Sequence, residues 1–382
     1  MKLLSETHII IAPTKYDDDG IKFRRHRIAD KLLSRSSTNK LIWIYPEKKQ
    51  GLVLENIDKN ITVVGWPVKF AEAYKLRSNS LLSYVRGKID GDCDIYLWFT
   101  FPSFPSLCEL GVKKIVYDCS DNWDQPWEKF KGIKVLREKF RALSIRKAEE
   151  AIVASSSHIF ATSNFLKNKI GSFSNKSIKV IENGVDDFFF LANPGTELEN
   201  LPHPIVGFVG ALKKKIDFNL IRYLANQNQE CSFVLVGPVS SDRPEHFNEL
   251  LNEKNVYYFK GVPTTKVPSI IAQLDVGLIP YKNIEYNKAV SPLKLFEYMA
   301  LGIPAIGYGV PETIKYAKNN CYDYAKDYND FNLKLKNVLE NRKTYTTERI
   351  NLAKSHRWSN KLDLIVDEVI FNSEQNRNKT KK

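Results

Sequence analysis

The sequence predicts an α/β protein of two doubly wound domains, each a parallel sheet covered by helices. Three observations carry that expectation. Short apolar runs of strand length alternate with segments of helical spacing along most of the chain, the pattern of a sheet buried on both faces. The 382 residues suffice for two full cores. A stretch with Pro194, Gly195, Pro202 and Pro204, spanning Leu191–Pro204, divides the chain near its middle and reads as a linker. Ligands of such open sheets lie outside the carboxyl ends of the strands. Residues that bear chemistry are therefore sought there.

In the first half, His8–Ala12 is an apolar run read as a buried strand. Asp17-Asp18-Asp19-Gly20 follows, and loop solvation explains its carboxylates better than a metal does. Phe23–Leu33 has helical spacing, with Ile28, Leu32 and Leu33 inward. It opens on Arg24, Arg25, His26 and Arg27. At a strand-to-helix edge these residues suit a phosphorylated acceptor; a solvated basic face is the alternative. Leu41–Tyr45, Ile61–Val64 and Asp94–Phe99 read as strands. Asp92-Cys93-Asp94 spells D-x-D but precedes its strand, so it reads as a turn. Lys114–Trp123 is a strand that ends in Asp118, Ser120, Asp121, Asn122 and Trp123. A carboxylate there can act as general base on a hydroxyl; turn and cap chemistry is the plain alternative. Ile133–Ser155 reads as a long helix rich in Lys, Arg and Glu. Ser157–Asn164 reads as a short strand and a capped helix, with His158 structural. Asn183-Gly184 is a tight-turn signal.

In the second half, Ile205–Leu212 is a strand running into Gly210, where the backbone can approach a ligand. Lys213-Lys214-Lys215 follows, then a helix from about Asp217. Ser232–Gly237, Val256–Lys260, Val276–Tyr281 and Ala305–Gly307 complete the alternation. Tyr281 stands at a strand end, either stacking on a base or packed in the rim. The most informative stretch is Ser291–Pro304. Ser291 suits the N-cap and Pro292 the first helical position, while Gly302 and Pro304 end the helix. Leu293, Phe296, Met299 and Ala300 bury one face. Lys294 puts a cation at the positive end of the helix dipole, which makes sense if an anion sits there. Glu297, one turn on, can accept hydrogen bonds from sugar hydroxyls. A surface Lys–Glu pair is the plain alternative.

Pro292-Leu293-Lys294-Leu295-Phe296-Glu297-Tyr298-Met299-Ala300 with Gly302-Ile303-Pro304 resembles the nucleotide-binding helix of GT-B glycosyltransferases, especially family four and its relatives. Lys114–Trp123 and the Arg24–Arg27 segment resemble the group that builds teichuronic acid and similar wall polymers. Asn183-Gly184-Val185-Asp186 resembles the segment that closes the first domain of that fold. The resemblance implies two Rossmann-like domains facing across a cleft, and sugar transfer from a nucleotide-sugar donor, UDP-linked, without metal or other cofactor. It places the donor at Gly210, Tyr281, Ser291, Leu293, Lys294 and Glu297. It places the acceptor, a glycan or lipid-diphosphate-linked molecule, near Arg24 and His26, with Asp121 and then Asp118 as acceptor-activating carboxylates. Eight positions before Glu297, where many members carry a second Glu, this chain has Ala289. The expected boundaries are 1–190, a linker 191–204, 205–354, a helix 355–371 that packs back on the first domain, and a disordered tail 372–382.

Hydrophobic residues at 43% and charged residues at 26% are ordinary for a globular protein. No run of about 18 apolar residues occurs, and Met1–Pro13 lacks the regions of a signal peptide. Five scattered cysteines without C-x-x-C fit a reducing compartment. A cytoplasmic protein is expected. Its net charge of +13 suits the anionic inner face of the cell membrane. No nucleic-acid module stands out. The rival readings are a nucleotide-sugar 2-epimerase on the same fold, a basic nucleic-acid-binding protein, and a sugar-nucleotide sensor without catalysis.

Overall fold

The computed structural model describes residues 5–16, 22–49, 51–69, 72–89, 93–126, 130–241 and 246–370. Asp17–Asp19, Asp92 and the tail 372–382 lie outside them. The chain forms two compact units. One runs to Glu182 and takes up the chain again from Leu362; the other is Asn183–Lys361.

The sheet of the first unit has eight strands: β1 (Glu6–Ile11), β2 (Thr38–Glu47), β3 (Val53–Asn56), β4 (Ile61–Pro67), β5 (Asp94–Phe99), β6 (Lys114–Cys119), β7 (His158–Ala161) and β8 (Lys179–Val180). Their order is β3-β4-β2-β1-β5-β6-β7-β8. All neighbours run parallel except the edge pair β3–β4. The central β1 is buried along its whole length, the polar Glu6, Thr7 and His8 at its start as well as the apolar Ile9-Ile10-Ile11 that follow, because the sheet is covered on both faces. Sequence order reverses between β1 and β5, which makes their carboxyl ends the switch point.

The helix Trp358–Ile370 ends in the first unit. Its Ile365, Val366 and Val369 are buried. Lys114 Nζ donates to the Val369 carbonyl at 2.6 Å, Lys179 pairs with Glu368 at 2.6 Å, and Lys31 pairs with Asp363.

The second unit is built on β9 (Ile205–Val209), β10 (Ser232–Val236), β11 (Val256–Phe259), β12 (Val276–Pro280), β13 (Ala305–Tyr308) and β14 (Asp323–Tyr324). All pairs are parallel, in the order β11-β10-β9-β12-β13-β14. This is the doubly wound dinucleotide-fold order, with its switch point between β9 and β12.

The unit boundary differs from the expected linker. Leu191–Pro204 belongs to the second unit: Leu198 is buried in its core, Gly195 N–H donates to the Ser269 carbonyl, and Leu198 N–H donates to Gln273 Oε1. Asn183-Gly184 is not a turn either. A Cβ on Gly184 would lie 2.6 Å from the His356 carbonyl oxygen, so the glycine admits a second backbone strand. Val185 pairs there with the segment around Arg357.

Candidate functional site

The helix Arg24–Leu33 opens at the carboxyl end of the first sheet. Arg24 turns inward. Its Nε donates to Asp118 Oδ2 at 2.8 Å, its Nη2 to Asp118 Oδ1 at 2.8 Å, and its Nη1 to the Ile181 carbonyl at 2.9 Å. Asp118 is 1% exposed and Arg24 6%. This departs from the expectation of an acceptor contact at Arg24 and a base at Asp118. A buried carboxylate already held by two guanidinium N–H groups reaches no incoming hydroxyl.

His26 is also buried, stacked on Trp43 with ring centroids 5.0 Å apart. Its Nδ1 accepts from the Phe23 N–H at 3.1 Å, so Nε2 carries the proton of the neutral ring. Nε2 has no hydrogen-bond partner among the described residues. Burial, with Arg25, Arg27 and Lys22 nearby, lowers its pKa from 6.5 to about 4. As pH falls below 6.5 the unfolded chain takes up a proton that folded His26 refuses. Stability tied to this ring should therefore drop by about 2–3 kcal/mol between pH 7 and pH 4.5. Urea denaturation of wild type and His26→Gln at both pH values checks this; parallel losses would refute it.

Asp121 sits in the bend after β6. It is the one aspartate of the three in 118–124 that is not buried. Both ends of its segment are anchored. Asp118 holds Arg24, and the buried Asp124 holds Lys169 at 2.7 Å. Lys169 also meets Glu149 at 3.0 Å, and Glu149 accepts from the Tyr117 hydroxyl at 2.5 Å. Burial opposes the Lys169 charge, but the Glu149 and Asp124 carboxylates outweigh it and leave the pKa raised. Burial and Glu149 push the Cys119 thiol well up, so it stays protonated. Sequence reading passed over Asp124, Glu149 and Lys169. A Glu within an apolar stretch of a helix was the available signal.

In the second unit, Gly210 follows β9 with φ +155°, and Gly237 follows β10 with φ +147°. A Cβ on Gly237 would lie 2.0 Å from the Gly210 carbonyl oxygen; one on Gly210 would lie 2.7 Å from Lys294 Cε. The two strand ends and the Lys294 stem are packed as closely as backbones allow, and only glycine fits both places.

The helix Leu293–Ala300 begins one residue later than expected. Pro292, with ψ 124°, takes the N-cap position, and no side chain caps the first turn. Ser291 lies outside the helix: its Oγ accepts from the Asn183 N–H at 3.4 Å and its carbonyl from Asn183 Nδ2 at 2.9 Å. The buried face is Leu295, Phe296, Tyr298, Met299 and Ala300, while Leu293 is only half-buried. Tyr298, which sequence reading also passed over, aligns the helix. Its hydroxyl accepts from the Val209 N–H and donates to the Leu278 carbonyl, both at 3.3 Å, bridging β9 and β12. Lys294 Nζ then meets Glu297 Oε2 at 2.6 Å, the two side chains 19% and 13% exposed.

Tyr281 departs from the expected stacking platform. It is buried, and Lys215 Nζ lies 5.3 Å from its ring centroid. Asn287 Nδ2 ties the Lys215 and Lys282 carbonyls together beneath it, at 3.2 and 2.8 Å. Ala289 is buried as well.

Residues 203–341 match the family model for glycosyl transferases group 1. Over 376 residues the chain is 30% identical to TuaH of Bacillus subtilis (strain 168), named for a glycosyltransferase of teichuronic acid biosynthesis. That alignment takes in 92% of this chain and 94% of the relative. The chain belongs to the group 1 glycosyltransferases. Solved structures give this glycosyltransferase the GT-B fold. Anabaena HepE, solved with UDP and glucose, superposes with a TM-score of 0.65 at 13% identity, covering 95% of this chain and 98% of HepE. The trehalose 6-phosphate synthase of Burkholderia multivorans gives 0.68 at 12%, covering 99% of each chain. WaaG, of lipopolysaccharide biosynthesis, gives 0.64 at 14%, covering 96% and 99%. Among the described residues of the glycosyltransferase, no helix is long and apolar enough to cross a membrane.

Proposed function

We propose that this glycosyltransferase moves a sugar from a UDP-linked donor to a hydroxyl of a glycan or lipid-diphosphate-linked acceptor in cell-wall polysaccharide synthesis. One observation carries the reading: Gly210, Lys294 and the uncapped first turn of Leu293–Ala300 converge at the switch point of the second sheet. Unsatisfied N–H groups, a cation and a glycine that lets a ligand approach form a diphosphate cradle. Glu297 lies one turn on, where the ribose hydroxyls of such a donor fall. TuaH and HepE support the polymer and the nucleotide respectively.

In this reading the acceptor oxygen attacks the anomeric carbon as the bond to the diphosphate oxygen breaks. The electron pair of that bond goes to the departing UDP. The helix N-terminus and Lys294 stabilise its growing charge, which makes transfer independent of a divalent metal. Asp121 takes the acceptor proton if the anomeric centre inverts, and hydrogen-bonds the acceptor if it does not. Arg24 and Asp118 hold the Asp121 segment in place and touch neither substrate.

The test pairs binding with turnover. UDP should raise the thermal midpoint equally with and without EDTA, and Asp121→Asn should keep that shift while transfer falls at least a hundredfold. A shift that needs a divalent cation would overturn metal independence. Full turnover in Asp121→Asn would remove Asp121 from the chemistry.

A further inference from the structure

The helix Ile133–Ser155 has two apolar faces. Its later half turns Ile145, Ala148, Ile152 and Val153 into the first unit. Its earlier half turns Ile133, Leu136, Phe140 and Leu143 outward, 85%, 70%, 58% and 60% exposed. At 3.6 residues per turn these four fall within an arc of roughly 80°, on the side away from the buried face. Solvent-facing helix surface ordinarily carries polar residues. Four large apolar side chains in one line form a patch made for a surface outside this chain.

The rim of the patch is basic. Arg137 borders one edge, and Lys139 and Arg146 border the other. From Lys131 to Lys147 the sequence holds seven cations and one carboxylate, Glu138, which Arg141 neutralises. A second copy of this chain is a poor occupant, because two such rims would repel. An apolar stripe between rows of cations fits a surface that is anionic above and apolar below.

We propose that this face docks on an anionic lipid membrane, with Ile133, Leu136, Phe140 and Leu143 entering the headgroup boundary and the flanking Lys and Arg facing lipid phosphates. The proposal deepens the reading of a lipid-linked acceptor, which is met at such a surface. Docking itself needs neither donor nor acceptor.

The experiment is flotation of the 382-residue protein with vesicles of phosphatidylcholine, alone or mixed with phosphatidylglycerol. The protein should float only with the mixture, and less as salt rises. Leu136→Glu/Phe140→Glu should lower the bound fraction at least tenfold. Lys139→Gln/Arg146→Gln should weaken binding about 25-fold, roughly fivefold for each cation lost. All four positions are exposed, so both variants should unfold cooperatively like wild type and keep the thermal shift with UDP. Wild type that ignores phosphatidylglycerol, or an apolar-stripe variant that floats like wild type, would overturn the proposal. So would a wild-type dimer by light scattering that Leu136→Glu/Phe140→Glu dissolves, since the face would then belong to a second copy. Normal flotation without any UDP shift would instead sink the donor reading and leave docking intact.

Discussion

Replacing Asp118 with alanine should destabilise the protein by about 3–5 kcal/mol, because the Arg24 guanidinium is then left buried without its counter-ion. The loss should appear as a lower midpoint in chemical denaturation of the first unit. Arg24→Met with Asp118→Leu should recover most of it, since apolar side chains of similar volume avoid the burial of charge altogether. The double variant separates two accounts. If the pair only holds the turn after β6, the double variant folds and retains UDP binding. If Arg24 gripped an acceptor phosphate, Arg24→Met alone would leave stability near wild type and raise the acceptor KM. Wild-type stability in Asp118→Ala would refute the structural role.

Glu297→Ala should weaken UDP binding roughly a hundredfold, about 3 kcal/mol for two charge-assisted hydrogen bonds to ribose hydroxyls. The fold should barely respond. Among the described residues Glu297 pairs with Lys294 one turn away, and such i, i+3 helix pairs contribute at most about 1 kcal/mol. Titration calorimetry with UDP and a thermal melt without it measure the two effects separately. Unchanged affinity would reduce Lys294–Glu297 to an ordinary helix pair. A large loss of stability with affinity intact would do the same. The substitution also leaves Lys294 uncompensated at the positive helix end, which adds slightly to anion attraction and works against the expected loss.

The central strands were legible because a strand buried on both faces must be apolar throughout, as Ile9-Ile10-Ile11 and Ile205–Val209 are. The helix at 293–300 was legible because proline and glycine punctuate it. Its first residue was not: Ser291 suits a cap and Pro292 a first helical position, but the extended ψ of Pro292 makes the proline itself the N-cap residue. Partners distant in sequence left no local trace. Nothing around Arg24 names Asp118, 94 residues away, so a buried ion pair read as a basic edge facing an acceptor. Tyr281 fell at a strand end as expected, but the cation over its ring comes from another loop. The outward stripe of Ile133–Ser155 was hidden by its charges. A helix apolar on two opposite sides shows little net sidedness.

The first unit is not continuous in the chain. Its sheet is complete by Val180, yet Lys31, Lys114 and Lys179 wait for Asp363, Val369 and Glu368. On the ribosome, the second unit, one uninterrupted stretch, emerges whole while the first still lacks its closing helix. At 5–20 residues per second that interval lasts roughly 10–40 s. The order of completion thus inverts the order of synthesis: the helix that seals the first sheet is made only after the whole of the second unit.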